Sequence, residues 1–459
     1  MFPKKTYMER RWKLKVQFDS GIILFLGNEE SPMNYSDNTY KFRQDSNFLY
    51  FWGLDEPALA AVIDIDNNKE IIFGENVDLD DIIWMGPQPS LQEKAKDIGV
   101  KEARSLPELS DFLDTSREIH YLPTYRGDQV IHLSQLLDCD PAEVEFNASE
   151  KLIRAVVGLR EQKTDEEVLQ IETAVDLTAQ MHIAAMEMLE PGMFEYEACG
   201  AMEGIALAAA SRISFPSIFS VEGETLHNHY HGNQMKEGDI LINDSGAESE
   251  LHYAGDITRT IPVSGKFTGR QRDIYQIVLE ANKTGIKASK PGITYKEVHL
   301  QAARVIAEGL KELGLMRGNL EEAVANGAHA LFFPHGLGHM MGLDVHDMEG
   351  LGEDYVGYDE DTQRSDQFGL ASLRLGKELK PGYVLTVEPG IYFIPELIDR
   401  WKEDGKHEAF INYDKVEEYK DFGGVRIEDD ILITEKKQRI LGMPIPKEVD
   451  EVERICQGE

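Results

Sequence analysis

The sequence predicts an α/β (α+β) protein of two domains. An N-terminal mixed α/β domain is expected over residues 1–158, and a C-terminal domain with internal pseudo-two-fold symmetry over residues 159–459. Three observations lead to this prediction: apolar β-rich runs before residue 155, a capped long helix near residue 165, and paired motifs in the second part. The length of 459 residues also fits two domains of ordinary size.

Short apolar runs in the N-terminal part have the length and composition of sheet strands. They read GIILFLG at 21–27, AAVID at 60–64 and IIFG at 71–74, and polar segments separate them. Runs of this kind between polar helical stretches predict a mixed α/β domain.

A long helix is predicted to open the second domain. Thr164 and Glu167 have the spacing of a capping box, in which each side chain bonds the other residue's backbone N–H. Apolar residues follow at helical spacing, so the helix is expected to pack against a core.

Two pairs of segments in the second domain echo each other. LEPGMFEYEACGAMEG and SKPGITYKEVHLQAAR match at an offset of 100 residues, each ending one helix and opening another. MKEGDILINDSGA and LKPGYVLTVEPGI share a strand that ends in a carboxylate, and Asp244 and Glu388 each lie six residues after a glycine. Taken alone, a Lys-x-Gly entry to a strand is common. If both halves fold alike, Asp244 and Glu388 converge on one central site.

Composition and charge exclude several classes of function. The chain has 47 Lys plus Arg against 83 Asp plus Glu, a formal net charge of -36, so neither nucleic acid nor an anionic membrane is an expected partner. Three cysteines without a CxxC predict a reducing compartment. With no apolar leader and no run of 18 apolar residues, the expected location is the cytoplasm.

Acids and histidines concentrate at four apolar strand ends of the second domain. Each has an ordinary explanation by itself, such as a turn aspartate or an ion pair. The His335 and His339 spacing does not fit a zinc helix either, because Gly336 and Gly338 indicate a loop and the required Glu is missing. Buried carboxylates need a compensating positive charge. The joint set has the composition of a site for two divalent cations: Asp244, Asp256, His339, Glu388 and Glu428.

The flanks of these residues resemble the aminopeptidase P and prolidase group of metallopeptidases. The motifs DSG, YAGDITRT, HGLGH, GLDVHD, TVEPGIY and RIEDD carry the resemblance, and KFRQDSNFLYFWGLDEP at 41–57 is similar to the N-terminal domain signature of aminopeptidase P. The resemblance implies the pita-bread fold for the second domain. It also implies two divalent metal ions, usually Mn²⁺ with Co²⁺, Zn²⁺ or Fe²⁺ as alternatives, held by the five residues above.

The resemblance further implies the roles of the surrounding residues. Glu388 would act as the base. His227, His335 and His346 match positions around the metals, and His335 would contact substrate. Arg426 would orient Glu428 or other acids of the site, and Arg374 resembles a prolidase position that recognises a substrate carboxylate. His227 is chosen over its neighbours His229 and His231 because its interval to Gln234 fits the family frame.

The implied activity is hydrolysis of the N-terminal Xaa-Pro bond by a hydroxide that bridges the two metals. An Xaa-Pro dipeptidase is the alternative, and Arg374 does not decide between them. The large N-terminal domain disfavours a methionine aminopeptidase, and five intact ligands disfavour a creatinase or a binding protein without catalysis. Peptides with proline at the second position are the expected partners, and the resemblance implies a homodimer or higher homo-oligomer.

The sequence also predicts a longer turn than the family pattern and two polar stretches at the surface. Asp244 and Asp256 are twelve residues apart, one more than the family pattern, which predicts a longer turn near 249–252. The stretches 352–367 and 395–422 look like polar insertions at the surface.

Overall fold

The structure of the protein is a computed structural model that describes residues 1–458. Its α-helices are α1 (Lys4–Lys15), α2 (Ser46–Trp52), α3 (Leu79–Met85), α4 (Leu91–Asp97), α5 (Glu108–Phe112), α6 (Gly127–Leu137), α7 (Pro141–Val144), α8 (Glu150–Arg160), α9 (Asp165–Met188), α10 (Glu195–Ala208), α11 (Gly269–Ala288), α12 (Tyr295–Glu312), α13 (Leu320–Ala325), α14 (Glu353–Gly357), α15 (Pro395–Glu403), α16 (Tyr413–Val416) and α17 (Val449–Cys456). Its strands are β1 (Ile22–Leu26), β2 (Pro32–Tyr35), β3 (Asn38–Thr39), β4 (Ala60–Asp64), β5 (Lys69–Phe73), β6 (Glu102–Arg104), β7 (Ile119–His120), β8 (Ile218–Ser220), β9 (Ile240–Ser245), β10 (Ile257–Pro262), β11 (Val384–Val387), β12 (Gly390–Tyr392), β13 (Gly424–Arg426), β14 (Asp429–Ile433) and β15 (Gln438–Ile440).

The chain divides into two compact units. One consists of Met1–Arg160 with Gly350–Tyr355, and the other of Glu161–Glu349 with the chain from Val356 onward. Every residue predicted to act in chemistry belongs to the second unit.

The first unit is built on a five-stranded mixed sheet in the order β6-β5-β4-β1-β7. Strands β1, β4 and β5 pair antiparallel, while β7 and β6 add to the two edges in parallel. All three apolar runs singled out in the sequence become strands of this sheet. Alternate side chains such as Ile22, Leu24 and Val62 are buried against helices α5 to α7, as the period of a strand requires.

The second unit contains two helix pairs with matching bounds. Helices α9 and α11 end at residues 188 and 288, and α10 and α12 begin at 195 and 295. The predicted capping box of Thr164 and Glu167 opens α9. Gly192 and Gly292, at equivalent turns, have φ of 99° and 84°, a conformation that favours glycine over every residue with a side chain.

Backbone hydrogen bonds repeat in the same way. The N–H of Gly192 donates to the carbonyl of Met235 at 2.8 Å, and that of Gly292 donates to Leu379 at 3.1 Å. Met235 and Leu379 are the first residues of the two echoed strand segments. Each helix pair is therefore tied to its own strand by the same contact, which gives the echo in the sequence a structural cause.

The strands that carry the acids lie in two small antiparallel sheets and one two-stranded ladder. These are β10-β9-β8, β11-β14-β15 and β12-β13. Asp244 on β9 lies opposite Thr258 on β10, and Thr386 on β11 lies opposite Asp430 on β14. Related strands of the two halves thus bring their carboxylates to one central region.

The structure can also be compared with the expectations for the turn between the two aspartates, for the surface insertion at 395–422, and for membrane spans and cysteines. The connection from β9 to β10 turns at residues 250–251, and His252 has φ of 67°. The polar insertion expected over 395–422 is wrong, because Ile398, Trp401 and Val416 are buried and make it part of the core. No described helix combines the length and apolar character needed to cross a membrane, and the three cysteines are free thiols.

Candidate active site

A cavity of about 490 Å³ opens among the strand ends of the second unit. Its wall contains all ten residues that the sequence singled out: Asp244, Asp256, His339, Glu388, Glu428, His227, His335, His346, Arg374 and Arg426. Residues separated by up to two hundred positions in the chain therefore meet at one place, while their individual roles stay predictions.

Two aspartates enter the site from the hairpin of β9 and β10. Asp244 lies on β9, and Asp256 immediately precedes β10, so the two are diagonal neighbours on one face. The backbone N–H of Asp256 donates to Oδ2 of Asp430 at 3.0 Å, which fixes the start of β10. The turn between the aspartates lies at residues 250–251, away from both side chains.

His339 is held by a loop that passes close to strand β11. A Cβ on Gly338 would lie 2.2 Å from the carbonyl oxygen of Thr386, so only glycine allows this approach. The N–H of His339 donates to Oγ1 of Thr386 at 3.1 Å, and Nδ1 of the ring is 3.0 Å from the carbonyl of Met340. With its Nδ1–H bonded to that carbonyl, the ring turns its Nε2 atom toward the cavity.

The Nε2 atom of His339 faces carboxylates. It lies 3.4 Å from Oδ2 of Asp256 and 3.7 Å from Oε1 of Glu388. Glu428 accepts a hydrogen bond from the Thr258 hydroxyl at 2.7 Å. Asp256, His339 and Glu428 each place one ligand atom within 4.8 Å of the others, close enough together to hold a metal ion.

The site holds more negative charge than its own cations balance. Burial raises the pKa of Asp244 and of Asp430, and it raises the pKa of Glu388 to about 7. Burial, followed by repulsion from Asp256 and Glu388, raises the pKa of Glu428 well above its usual range. These carboxylates cannot all ionise together without an added positive charge.

The pKa of His339 is raised, whereas burial lowers the pKa of most imidazoles. Burial opposes its protonation, but the hydrogen bond to Asp256 and the charge of Glu388 outweigh burial and raise the pKa of His339 to about 9. A proton on this ring therefore supplies part of the missing positive charge.

Arg426 links three other groups of the site. Its Nη2 donates to Oδ2 of Asp244 at 2.6 Å, and its Nη1 donates to the hydroxyl of Tyr392 at 2.8 Å. The same hydroxyl is 2.9 Å from Nε2 of His335, whose Nδ1 is 2.7 Å from the carbonyl of Gly336. Burial lowers the pKa of His335 to about 3, so its neutral ring donates to Gly336 and accepts from Tyr392. Among the acids that Arg426 was expected to orient, the structure shows it in contact with Asp244.

The opposite wall carries a second chain of polar contacts. Oε2 of Glu349 is 3.2 Å from Nδ1 of His346 and accepts a hydrogen bond from Nη1 of Arg374 at 2.5 Å. The rings of His346 and His339 are 4.1 Å apart. Burial is the first cause that lowers the pKa of His346 to about 4, so this ring is neutral at physiological pH.

Apolar residues and two histidines complete the wall. Phe215, Pro216 and Leu226 line the cavity together with His227 and His229. The sequence singled out His227 alone, whereas the structure places His229 in the wall too. His231 points elsewhere, since its Nε2 lies 3.1 Å from the carbonyl of Ser217.

Sequence reasoning missed three polar residues of the site: Tyr392, Glu349 and Asp430. The Tyr of the TVEPGIY motif was a visible signal, because its spacing from Glu388 was fixed by the motif. Asp430 had a comparable signal, because it is the last residue of the RIEDD motif. Glu349 had none, because a Glu outside the motifs is ordinarily exposed.

The donor set fits a pair of divalent cations. Oδ1 of Asp244 and Oδ1 of Asp430 are buried without a protein partner, and four carboxylates with one imidazole surround the same space. Oxygen-rich sites with one imidazole suit Mn²⁺ and neighbouring first-row metals. A bound cation would both contact the unpaired oxygens and lower the raised pKa values of the carboxylates.

The geometry can be compared with known proteins. Residues 170–435 match metallopeptidase family M24, and residues 7–120 match the aminopeptidase P N-terminal domain. The chain belongs to metallopeptidase family M24. This membership confirms the family that the motifs indicated, and it makes the protein a hydrolase of the peptidase class with a divalent-metal cofactor.

Relatives of known activity cover nearly the whole chain. The Xaa-Pro dipeptidase of Homo sapiens is 32% identical over 450 residues, which cover 95% of this chain and 89% of that protein. The Xaa-Pro aminopeptidase of Escherichia coli (strain K12) is 31% identical over 477 residues, with 98% and 97% covered. A structure of aminopeptidase P from E. coli with the inhibitor Pro-Leu has a TM-score of 0.81 and 31% identity, covering 100% of this chain and 99% of that one. The predicted fold, an aminopeptidase P-like N-terminal domain followed by a pita-bread domain, is confirmed.

Proposed function

We propose that this M24 protein is a metal-dependent aminopeptidase that hydrolyses the bond between an N-terminal residue and a following proline. One observation carries the proposal: Asp244, Asp256, His339, Glu388 and Glu428 converge on one cavity whose carboxylates lack compensating charge. The similarity to aminopeptidase P along the whole chain supports the choice of substrate.

The same five residues are proposed to hold two divalent cations, with Mn²⁺ as the first candidate. When bound, such cations would supply a water of lowered pKa and would polarise the scissile carbonyl. Binding would displace the proton of His339, because a metal ligand must be neutral at the ligating nitrogen. The cytoplasm is the proposed location, since three free thiols suit a reducing compartment.

The chain's own side chains have distinct tasks in this proposal. Glu388, whose carboxylate lines the cavity, is proposed to accept the proton of the attacking water. His227 lines the cavity and is proposed to stabilise the oxyanion that forms, while His346, whose Nδ1–H faces Glu349, is proposed to lie beside the substrate. Arg426 holds Asp244 in place and, through Tyr392, orients His335 beside the substrate.

An Xaa-Pro dipeptidase is the second candidate. The observation that favours it is Arg374, a partly exposed guanidinium in the cavity wall that can meet a substrate carboxylate. The similarity to a human Xaa-Pro dipeptidase has the same weight as that to the bacterial aminopeptidase. The two candidates share one site and differ in the length of peptide they accept.

Substitution of Glu388 tests the proposed base. We expect Glu388→Ala to lower the kcat for an Xaa-Pro peptide by about 10²-fold or more, because both a base and a ligand are removed. Glu435→Ala, at an exposed position outside the cavity, is the matched control and should keep full activity. Full activity of the folded Glu388→Ala protein would refute the assignment.

Metal removal tests the cofactor and the substrate class together. The chelated protein should lose hydrolysis of Gly-Pro and of Arg-Pro-Pro peptides, and Mn²⁺ or Co²⁺ should restore it. Cleavage of the longer peptide with little cleavage of Gly-Pro is expected for the aminopeptidase, and the reverse for the dipeptidase. Activity that survives chelation would contradict the metal-dependent mechanism.

A further inference from the structure

Glu349 has no role in the chemistry described so far, yet it joins two residues of the cavity wall. Its Oε2 accepts from Nη1 of Arg374 at 2.5 Å and lies 3.2 Å from Nδ1 of His346. The Glu349 side chain is only 15% exposed, and that of Arg374 is 34% exposed. The carboxylate therefore sits behind the guanidinium and shares its charge.

Few cations are available in this cavity to receive a substrate carboxylate. Two arginines line it. Arg426 is 4% exposed in its side chain and already bonds Asp244, Tyr392 and Thr258. Arg374 is consequently the more accessible of the two guanidinium groups in the wall. A group that neutralises its charge therefore lowers the affinity of the site for a substrate carboxylate.

Glu349 supplies that neutralisation. The Arg374 and Glu349 pair has no net charge, so the guanidinium offers no net attraction to an anion. A peptide that ends at proline would bring a carboxylate beside this pair, where Glu349 repels it and competes for the same guanidinium. A peptide that continues past proline would bring a neutral amide to the same place, which has no such penalty.

We infer that Glu349 is a specificity-determining residue that positions and neutralises Arg374, so that the site favours peptides that continue beyond the proline over free Xaa-Pro dipeptides. The inference rests on the proposed function, because it assumes hydrolysis of Xaa-Pro bonds in this cavity. It means that the Glu349 carboxylate determines whether the site acts as an aminopeptidase or as a dipeptidase.

The test compares Ala-Pro, a free acid, with Ala-Pro-amide, which lacks the terminal charge. The measured quantity is the ratio of kcat/KM for the acid to kcat/KM for the amide. Glu349→Gln keeps the shape of the side chain and removes its charge, so this ratio should rise about tenfold or more. An effect of the substitution on His346 acts on both substrates and cancels in the ratio.

The double variant Glu349→Gln with Arg374→Met identifies the group responsible. If the gain comes from an unmasked guanidinium, removal of Arg374 should abolish it and return the ratio to the wild-type value or below. A ratio in Glu349→Gln within twofold of wild type overturns the inference. A raised ratio that persists in the double variant overturns it as well.

The wild-type protein provides a measurement that needs no variant. With Mn²⁺ bound, it should cleave Ala-Pro-amide with a higher kcat/KM than Ala-Pro, and preference for the free acid would overturn the inference even if the variants fail to fold. Cleavage of neither compound nor of any longer Xaa-Pro peptide would instead defeat the proposed function. The two failures are therefore distinguishable.

Discussion

At the scale of single residues, the site is organised by hydrogen bonds that fix which atom faces the cavity. Backbone carbonyls of Gly336 and Met340 bond Nδ1 of His335 and His339, so Nε2 of His335 turns to Tyr392 and Nε2 of His339 turns to the carboxylates. Arg426 reaches His335 only through the Tyr392 hydroxyl. That hydroxyl therefore couples a residue beside the substrate to one that holds Asp244.

Removal of the Tyr392 hydroxyl should reduce catalysis without unfolding the protein. Tyr392→Phe leaves Nη1 of Arg426 and Nε2 of His335 without their common partner, and we expect kcat/KM for an Xaa-Pro peptide to fall about tenfold. Tyr419→Phe is the control, since its ring packs on Phe393 at 4.9 Å and only the hydroxyl changes. Equal activity of both variants would remove Tyr392 from the mechanism.

The sequence predicted the residues that carry charge better than the residues that orient them. Asp244, His339 and Glu388 stand in motifs whose spacing is visible in the chain. The pairing of Glu349 with Arg374 joins the short 3₁₀ helix Glu349–Leu351 to a loop, and no local periodicity or spacing records such a contact. Contacts of this kind depend on the course of the backbone, which only the folded chain defines.

At the scale of elements, the internal repeat of the second unit explains why its helices and strands were predicted correctly and why the region 395–422 was not. Helices α9 to α12 and strands β9 and β11 were predictable because capping residues and Pro-Gly turns mark their ends. The region 395–422 lies outside the repeated segments and is rich in charged residues, so the sequence predicted that it lies at the surface. Its helix α15 buries Ile398 and Trp401, which lie three positions apart on one face, so the amphipathic spacing was a signal that the sequence analysis did not use.

A substitution in the HGLGH loop tests how tightly that element is fitted. Gly338→Ala would place a methyl group 2.2 Å from the carbonyl of Thr386, which forces the loop and His339 away from β11. We expect a lower melting temperature and a loss of bound Mn²⁺ measured by elemental analysis. Gly204→Ala, in helix α10 with open space around its Cβ, should instead leave metal content unchanged and slightly raise stability. Normal metal content in Gly338→Ala would show that the loop adapts.

At the scale of the whole molecule, helix α3 exposes an apolar surface. Trp84 is 86% exposed, and Leu79, Ile83 and Met85 are exposed beside it. Exposed apolar clusters of this kind mark contact surfaces, so we expect copies of the chain to associate through α3. Light scattering after size exclusion should show a dimer or larger species, and Trp84→Ser with Ile83→Ser should shift it toward the monomer. A wild-type monomer at micromolar concentration would contradict this prediction.

The charge of the site should also govern how the stability of the whole protein depends on pH. Without metal, burial raises the folded-state pKa of Glu388 to about 7, and the pKa of Asp244 and Glu428 also rises. The pKa of His339, which burial would lower, is raised to about 9 by Asp256 and Glu388. Each raised pKa adds stability below the unfolded value that is lost as pH rises through the folded value.

The melting temperature of the chelated protein should therefore fall between pH 5.5 and 8.5, by about 3 °C or more. Over the same range, ionised carboxylates and a neutral His339 bind cations better, so saturating Mn²⁺ should raise the melting temperature more at pH 8.5 than at pH 5.5. Scanning calorimetry of the chelated and Mn²⁺-loaded protein at both pH values measures the two effects separately. Glu428→Gln removes one buried charge and should flatten the pH dependence of the chelated protein. A chelated protein whose stability increases toward pH 8.5 would show that the acids are balanced within the protein, and the argument for two cations would fail with it.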